Sequence, residues 1–467
     1  MRMRVASVGG GVAVALGVAY LLTPPLARLD DAYIAVHSAS VVLSGRDPVF
    51  GVAALVGATS PAYVALLVGI LGSGVSSLTA LRLANSGGLV AYVAAVWYLG
   101  GVVGLTRGRR LALLGMALTS GLVMLHLTNG METGWAIAVL TFAVAAAYAG
   151  QTIAVACCVG LLPFLRPDLA PAAGLLLLYS LTRRPLSLQV RAVLLAVLIA
   201  LPWLIWMRLD TGAWLPQTMR AKQLFFATGC WPWTTKASVV LGQTASALVR
   251  LFPLSVGLVV LWQETLGRVG LVAMAASLAA YFVFLPDVLS DNYSRYLYAI
   301  LVPWLCYGTA RLFASIQSGV AITGAIAVAA VFAATSRHDP THEFASEMKA
   351  SAEWLDAHLP GDAVLLVHDA GGISEFAHLR AVDLVGLKTP SSMAAHARWT
   401  WPTCGAARST AFAAIVEKSG ASHLVALTGW DALLRRDLEA EGFLLTPIRS
   451  EPSREMAYTV YRLRKRE

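Results

Sequence analysis

Apolar runs of about 17 to 22 residues follow one another from position 5 to about 335, each close to the length that crosses a ~30 Å hydrocarbon core. The pattern predicts about eleven membrane-spanning helices, at 5–23, 77–105, 111–127, 134–150, 152–165, 169–182, 190–207, 238–262, 269–285, 296–313 and 319–335. Between the first two, the stretches 31–44 and 60–72 are amphipathic or marginal and are joined by the turn-rich Ser44-Gly45-Arg46-Asp47-Pro48. They read as helices lying along the membrane interface. After Arg337 the apolar runs stop. Short β-rich runs, Ala363–Val367, His423–Leu427 and Tyr458–Tyr461, then alternate with helix-like stretches at 342–358, 408–418 and 430–441, the pattern of a small soluble α/β domain. The expected organisation is a polytopic α-helical membrane module over 1–335, with interfacial helices within 31–72, and a separate domain over 336–467.

Composition agrees with this division. The 467 residues are 57% hydrophobic and only 13% charged, half the charge of an ordinary soluble protein. The net charge of +9 would suit nucleic acid only if it formed a basic stripe interleaved with aromatics. Here the arginines stand at the ends of apolar runs, so no nucleic-acid partner is expected. Lys and Arg beside spans mark the cytoplasmic side. Arg2 and Arg4 put the N-terminus in the cytoplasm, and Arg107, Arg109, Arg110, Arg183, Arg184, Arg191, Arg268 and Arg311 then fall on the same side. The segment Met1–Tyr20 reads as a retained first span rather than a cleaved signal. The loops 24–76, 128–133, 165–168, 208–237 and 286–295 and the tail face outward. Five cysteines show no metal-ligand spacing. Cys157, Cys158 and Cys306 lie in spans; Cys230 and Cys404 both lie outside, where an oxidising compartment would let them pair.

Polar residues that could carry chemistry concentrate on the outer side. Asp30 and Asp31 follow the first span. Carboxylates beside hydrocarbon usually meet water, a cation or a substrate, although an acidic residue opening a helix also serves as a cap. If catalytic, one of them takes the proton of an incoming hydroxyl while the other orients it or sets its basicity. Tyr33 and His37 lie close along the same helix. The loop from Trp214 to Gln223 offers Arg220 and Lys222 with Gln217 and Thr218, a set suited to a phosphate; interfacial snorkelling beside Trp214 is the plainer account. Arg295 opens the tenth span among aromatics, Arg166 and Asp168 make an ion pair at a helix break, and Glu132 stands at the mouth of another span.

These residues carry a resemblance. Asp30-Asp31-Ala32-Tyr33-Ile34 after the first helix, Thr59-Ser60-Pro61, Gly130-Met131-Glu132-Thr133, Arg166-Pro167-Asp168, Leu215-Pro216-Gln217-Thr218 with Lys222, Arg295-Tyr296 and the tail segment Val382–Leu387 together resemble the GT-C fold glycosyltransferases. The likeness is closest to the branch of mycobacterial terminal arabinofuranosyltransferases and pilin arabinosyltransferases. Gln217 and Asp168 stand where that branch often has Asn and Glu. The resemblance implies an enzyme of a bacterial inner membrane, with its tail in the periplasm or outside the cell, that moves a sugar, D-arabinofuranose by preference, from a polyprenyl-phosphate donor to a hydroxyl of a glycan or protein acceptor. Asp30 or Asp31 would be the general base, with Asp30 preferred. Lys222, Arg220, Arg295 and Arg166 would hold the donor phosphate, and Tyr33, His37, Glu132, Asp168, Gln217 and Thr218 would line the substrate. Arginine and lysine alone can neutralise a lipid monophosphate, so no metal is obligatory; a divalent ion beside the aspartates is the open alternative. The competing expectations are a mannosyl or other hexosyl transferase of the same fold, a flippase for a lipid-linked sugar, and a non-catalytic scaffold presenting its tail.

Overall fold

The computed structural model describes residues 29–182, 184–315, 341–450 and 457–466. Among these the chain forms two compact units, one built from 82–204 and 233–315, the other from 29–81, 205–232 and the tail. The stretches 29–81 and 205–232 thus fold with the tail, so the sequence boundary at 335 does not separate the units.

The first unit is helical. Four helices of the described chain are long and apolar enough to cross a membrane, Ser77–Val102, Leu186–Thr211, Thr265–Phe284 and Asp291–Ser315. The expected span 238–262 is instead two helices, Trp233–Arg250 and Leu254–Leu261, bent by 108°. The expected span 111–127 is divided between Arg107–Thr119 and Val123–Thr128. Thr133–Tyr148, Thr152–Leu165 and Pro167–Leu181 are apolar but shorter. Length and composition therefore support a multi-pass membrane protein; among the described residues four helices, or five if the bent pair is one span, are long and apolar enough to cross, and the expected spans 5–23 and 319–335 lie outside the described residues.

Thr133–Tyr148 packs against Asp291–Ser315 and Thr152–Leu165. Its buried Ala143, Ala145, Ala146 and Ala147 let backbones approach closely, as small residues do between membrane helices. The same logic sets Gly308 against Gly257, where a Cβ on Gly308 would lie 2.2 Å from the Gly257 carbonyl oxygen. Leu186–Thr211 exposes Leu194, Leu198 and Leu201, a face suited to lipid.

The second unit is organised by a five-stranded sheet: β1 (Val364–Val367), β2 (Arg380–Asp383), β3 (His423–Leu427), β4 (Phe443–Arg449) and β5 (Tyr458–Lys465), in the order β2-β1-β3-β5-β4. β1 runs parallel to β2 and β3, and β5 runs antiparallel to β3 and β4. β1 is buried along its whole length and β3 over all but its last residue, as strands covered on both faces are. Phe412, Val416 and Leu434 from flanking helices close the core. Phe225, from the helix Thr218–Phe226, enters the same core, and Cys230 is bonded to Cys404 across a Cα separation of 5.5 Å. The helix Asp30–Ser44 packs on Pro61–Leu71 and on the short helix Gly372–Phe376.

Candidate functional site

Each unit holds one constellation of the residues singled out in the sequence. In the sheet-containing unit, Asp30 and Asp31 occupy the first turn of the helix Asp30–Ser44. The backbone N–H of Gly371 donates to both carboxylate oxygens of Asp30 at 3.0 Å, and that of Gly372 donates to Oδ1 at 2.6 Å. The turn must be glycine for this contact, because a Cβ on Gly371 would lie 1.9 Å from the Asp30 carbonyl oxygen. Burial, with the charges of Asp369 and Asp31, lifts the Asp30 carboxyl well above the ordinary carboxylate range against the pull of the two N–H donors. Asp369 is fixed in turn: its Oδ1 is 3.0 Å from His368 Nδ1, and its Oδ2 accepts the Tyr458 hydroxyl at 3.2 Å. Tyr33 is buried edge-on to Phe376, with ring centroids 5.1 Å apart, and burial beside Glu375 and Asp30 raises its phenol. Glu375 accepts the Ser77 hydroxyl, and burial pushes its carboxyl up to about 7.

Farther along the same helix, His37 is buried with Nε2 3.2 Å from Asp47 Oδ1. Burial opposes ionisation of Asp47, but His37 and the N–H groups of Phe50 and Val49 outweigh it and hold the carboxyl below its usual value. Ser38 accepts a 2.8 Å hydrogen bond from the ammonium of Lys388, a lysine with no solvent exposure. Burial pushes Lys388 down to about 8, opposed by the charges of Asp47, Asp383 and Asp210. Asp383, itself pushed up to about 6 by burial, accepts the N–H groups of Val385 and Lys388 and so shapes the Val382–Leu387 segment.

Gln217 precedes the helix Thr218–Phe226 at its N-cap position, without a side-chain capping bond, and is exposed. Thr218 accepts the Thr59 hydroxyl at 3.1 Å. Arg220 is exposed and lies 5.7 Å above the Trp401 ring, while Lys222 is half-buried. A cleft of about 460 Å³ lined by Lys349, Glu353, Asp356, Ala357, Phe376 and His378 opens beside the aromatic pair of Phe376 and Tyr33.

In the helical unit, Arg166 is clamped. Its Nη1 donates to Glu132 Oε1 and Thr133 Oγ1, each at 3.1 Å. Nε and Nη2 donate to the two oxygens of Asp168 at 3.2 and 3.0 Å. The Tyr281 hydroxyl adds a 2.8 Å bond to Asp168, and Arg166 lies over the Tyr296 ring. Such a bidentate, fully desolvated arginine holds its neighbours in register. Arg295 is also buried; its Nη1 donates to Met131 Sδ at 2.7 Å and its Nη2 to the Tyr296 hydroxyl at 3.0 Å. It follows three residues, Asn292, Tyr293 and Ser294, with φ of 47°, 62° and 62°, a left-handed turn without glycine that costs about 1–2 kcal/mol per residue.

Of the residues singled out in the sequence, the structure places Asp30, Asp31, Tyr33, His37, Gln217, Thr218, Arg220 and Lys222 in one unit and Glu132, Arg166, Asp168 and Arg295 in the other. Sequence reasoning had grouped them as one candidate site. It missed Asp369, Glu375, Lys388 and the Gly371-Gly372 turn. The paired glycines between β1 and a helix were the available signal.

Residues 337–461 match the model of a family described as a domain of unknown function, DUF8728. No curated protein matches the chain. Among solved structures, the crystal structure of ArnT from Cupriavidus metallidurans bound to undecaprenyl phosphate is similar over 96% of this chain and 97% of that one, at 12% identity and a TM-score of 0.57. The mycobacterial arabinofuranosyltransferase AftD, seen by cryo-electron microscopy, is 15% identical with a TM-score of 0.49; this chain covers 41% of its length. The Archaeoglobus fulgidus oligosaccharyltransferase is 13% identical with a TM-score of 0.46, over 97% of this chain and 72% of that one. The likeness to ArnT, spanning both chains almost end to end, establishes a shared fold, the GT-C membrane fold that the sequence resemblance anticipated.

Proposed function

We propose that the chain is a glycosyltransferase that moves a sugar from a polyprenyl-phosphate donor to an acceptor hydroxyl at the outer face of a bacterial plasma membrane. The observation that carries this reading is the fold it shares with ArnT, whose structure holds undecaprenyl phosphate, combined with a paired carboxylate, Asp30 and Asp31, in the first turn of the helix Asp30–Ser44. Asp30 is the general base: its raised carboxyl suits proton abstraction, and the adjacent charge of Asp31 helps to raise it. On the sequence resemblance Arg220 and Lys222 neutralise the donor phosphate; within the helical unit Arg166 holds Glu132 and Asp168 in place. The cleft beside Phe376 offers an aromatic face with Glu353, Asp356, Lys349 and His378 around it, chemistry that fits a hydroxyl-rich acceptor. The sugar is D-arabinofuranose, on the sequence resemblance alone. The disulfide supports an oxidising compartment for the tail.

The test uses purified full-length protein, radiolabelled polyprenyl-phosphate sugars of pentose and hexose type, and glycan acceptors. Asp30→Asn is expected to slow transfer about 10²–10⁴-fold while the melting temperature holds, and Asp31→Asn to do so by less. Movement of donor between leaflets without transfer would instead mark a flippase. Chelation of divalent ions is expected to leave transfer unchanged, since arginine and lysine supply the positive charge; loss of transfer in chelator, restored by one added ion, would overturn that point.

A further inference from the structure

Two energetic anomalies coincide in the helical unit. The first is Asn129, which has no solvent exposure and whose Nδ2 has no hydrogen-bond partner. Its orientation is not ambiguous, because the Met131 N–H donates to the other amide atom, Oδ1, at 3.0 Å, so the unmet group is a donor. The second is the left-handed turn Asn292–Ser294, which delivers Arg295. His126 joins the two. Its Nε2 lies 3.1 Å from the Tyr293 carbonyl oxygen within that turn, its Nδ1 is buried without a partner, and it feels the charges of both Arg166 and Arg295. Met131, whose N–H anchors Asn129, receives the Arg295 guanidinium on its sulfur. A buried donor without an acceptor and strained backbone are both unfavourable to folding, and both persist where a site needs them.

We propose that Asn129 is a ligand-binding residue. Its Nδ2 donates to an anionic phosphoryl oxygen that Arg295 also contacts, and His126 Nδ1 accepts from a hydroxyl of the same ligand. The ligand chemistry is a phosphate ester bearing a sugar or a free hydroxyl. This inference rests on the proposed transferase reading and adds to it an uncharged donor, a side-chain amide.

Asn129→Asp separates the roles of the two amide atoms, because it keeps an acceptor for the Met131 N–H and replaces only the unmet donor; Asn129→Ala removes both. Binding of undecaprenyl phosphate to the full-length protein in nanodiscs is measured by calorimetry, with inorganic phosphate as the second probe and the melting temperature recorded for each variant. Asn129→Asp is expected to weaken undecaprenyl phosphate binding about tenfold or more with the melting temperature held or raised. Competition by inorganic phosphate would show that the shared phosphate chemistry suffices; binding of the lipid without such competition would place the Asn129 contact on the lipid-bound ester only, and both support the site. Unchanged lipid affinity in Asn129→Asp and Asn129→Ala overturns the inference while leaving the transferase reading intact, whereas a wild type that binds no undecaprenyl phosphate sinks both.

Discussion

Asp30 shows how far a residue's chemistry depends on neighbours that the local sequence does not reveal. Its position after the first apolar run was legible, and so was its acidic partner, because the two are adjacent in the chain. The Gly371 and Gly372 donors and the Asp369 charge come from a segment 341 residues away, and no periodicity connects them. A test of this environment follows from its causes. Burial is the largest, and the Asp369 charge comes next among those that raise Asp30. If Asp30 is the base, the acidic limb of the transfer rate lies above the ordinary carboxylate pKa of about 3.9. Asp369→Asn is expected to move that limb toward lower pH, since it removes a like charge that disfavours ionisation. A limb that stays put under this substitution would assign the titration to another group.

At the scale of elements, the periodicities did well where one helix or strand satisfied itself and less well where a break was needed. The runs around 364–367, 423–427 and 458–461 form β1, β3 and β5, because β-branched and apolar residues there are bounded by turn formers. The span expected at 238–262 failed at Phe252-Pro253, where the chain turns through 108° between two helices; hydropathy averaged over a window passes over such a break, although the proline itself was visible. The loop with Arg220 and Lys222 illustrates a constraint invisible to hydropathy. It is tied to the tail by the Cys230–Cys404 bond, by Arg220 over Trp401 and by Gly229, whose bare Cα admits the Trp401 ring, 2.8 Å from where a Cβ would stand. Cys230→Ser with Cys404→Ser is expected to lower stability by about 2–5 kcal/mol and to raise the KM for a polyprenyl-phosphate donor more than it lowers kcat, because it frees the cationic loop. An unchanged KM in the double variant would detach that loop from donor binding.

For the whole molecule, buried ionisable groups in the sheet-containing unit make stability depend on pH, with opposite signs for the buried acid and the buried base. Glu375 titrates near 7 in the folded protein against 4.5 for the free group. Between these values the folded chain holds the extra proton, so this contribution falls as pH rises from about 4.5 to about 7. Lys388 titrates near 8 against 10.5; the unfolded chain holds the extra proton there, so stability rises from about pH 8 to about 10.5. Glu375→Gln, which keeps an acceptor for Ser77, is expected to stabilise the protein by about 2–3 kcal/mol at pH 8 and to flatten the profile between about 4.5 and 7 in thermal melts. A profile that keeps its slope would relocate the effect to another carboxyl.

The reach of the Asp30 contact also bears on synthesis. At roughly 5–20 residues per second, the ribosome needs about 17 to 70 s to add the 341 residues that separate Asp30 from Gly371. Throughout that interval the nascent polypeptide lacks the amides that hold its carboxylate. A chain stalled or clipped before the paired glycines leaves that acid without its two donors, so the surroundings of Asp30 are assembled only after the described helices of the helical unit have been made.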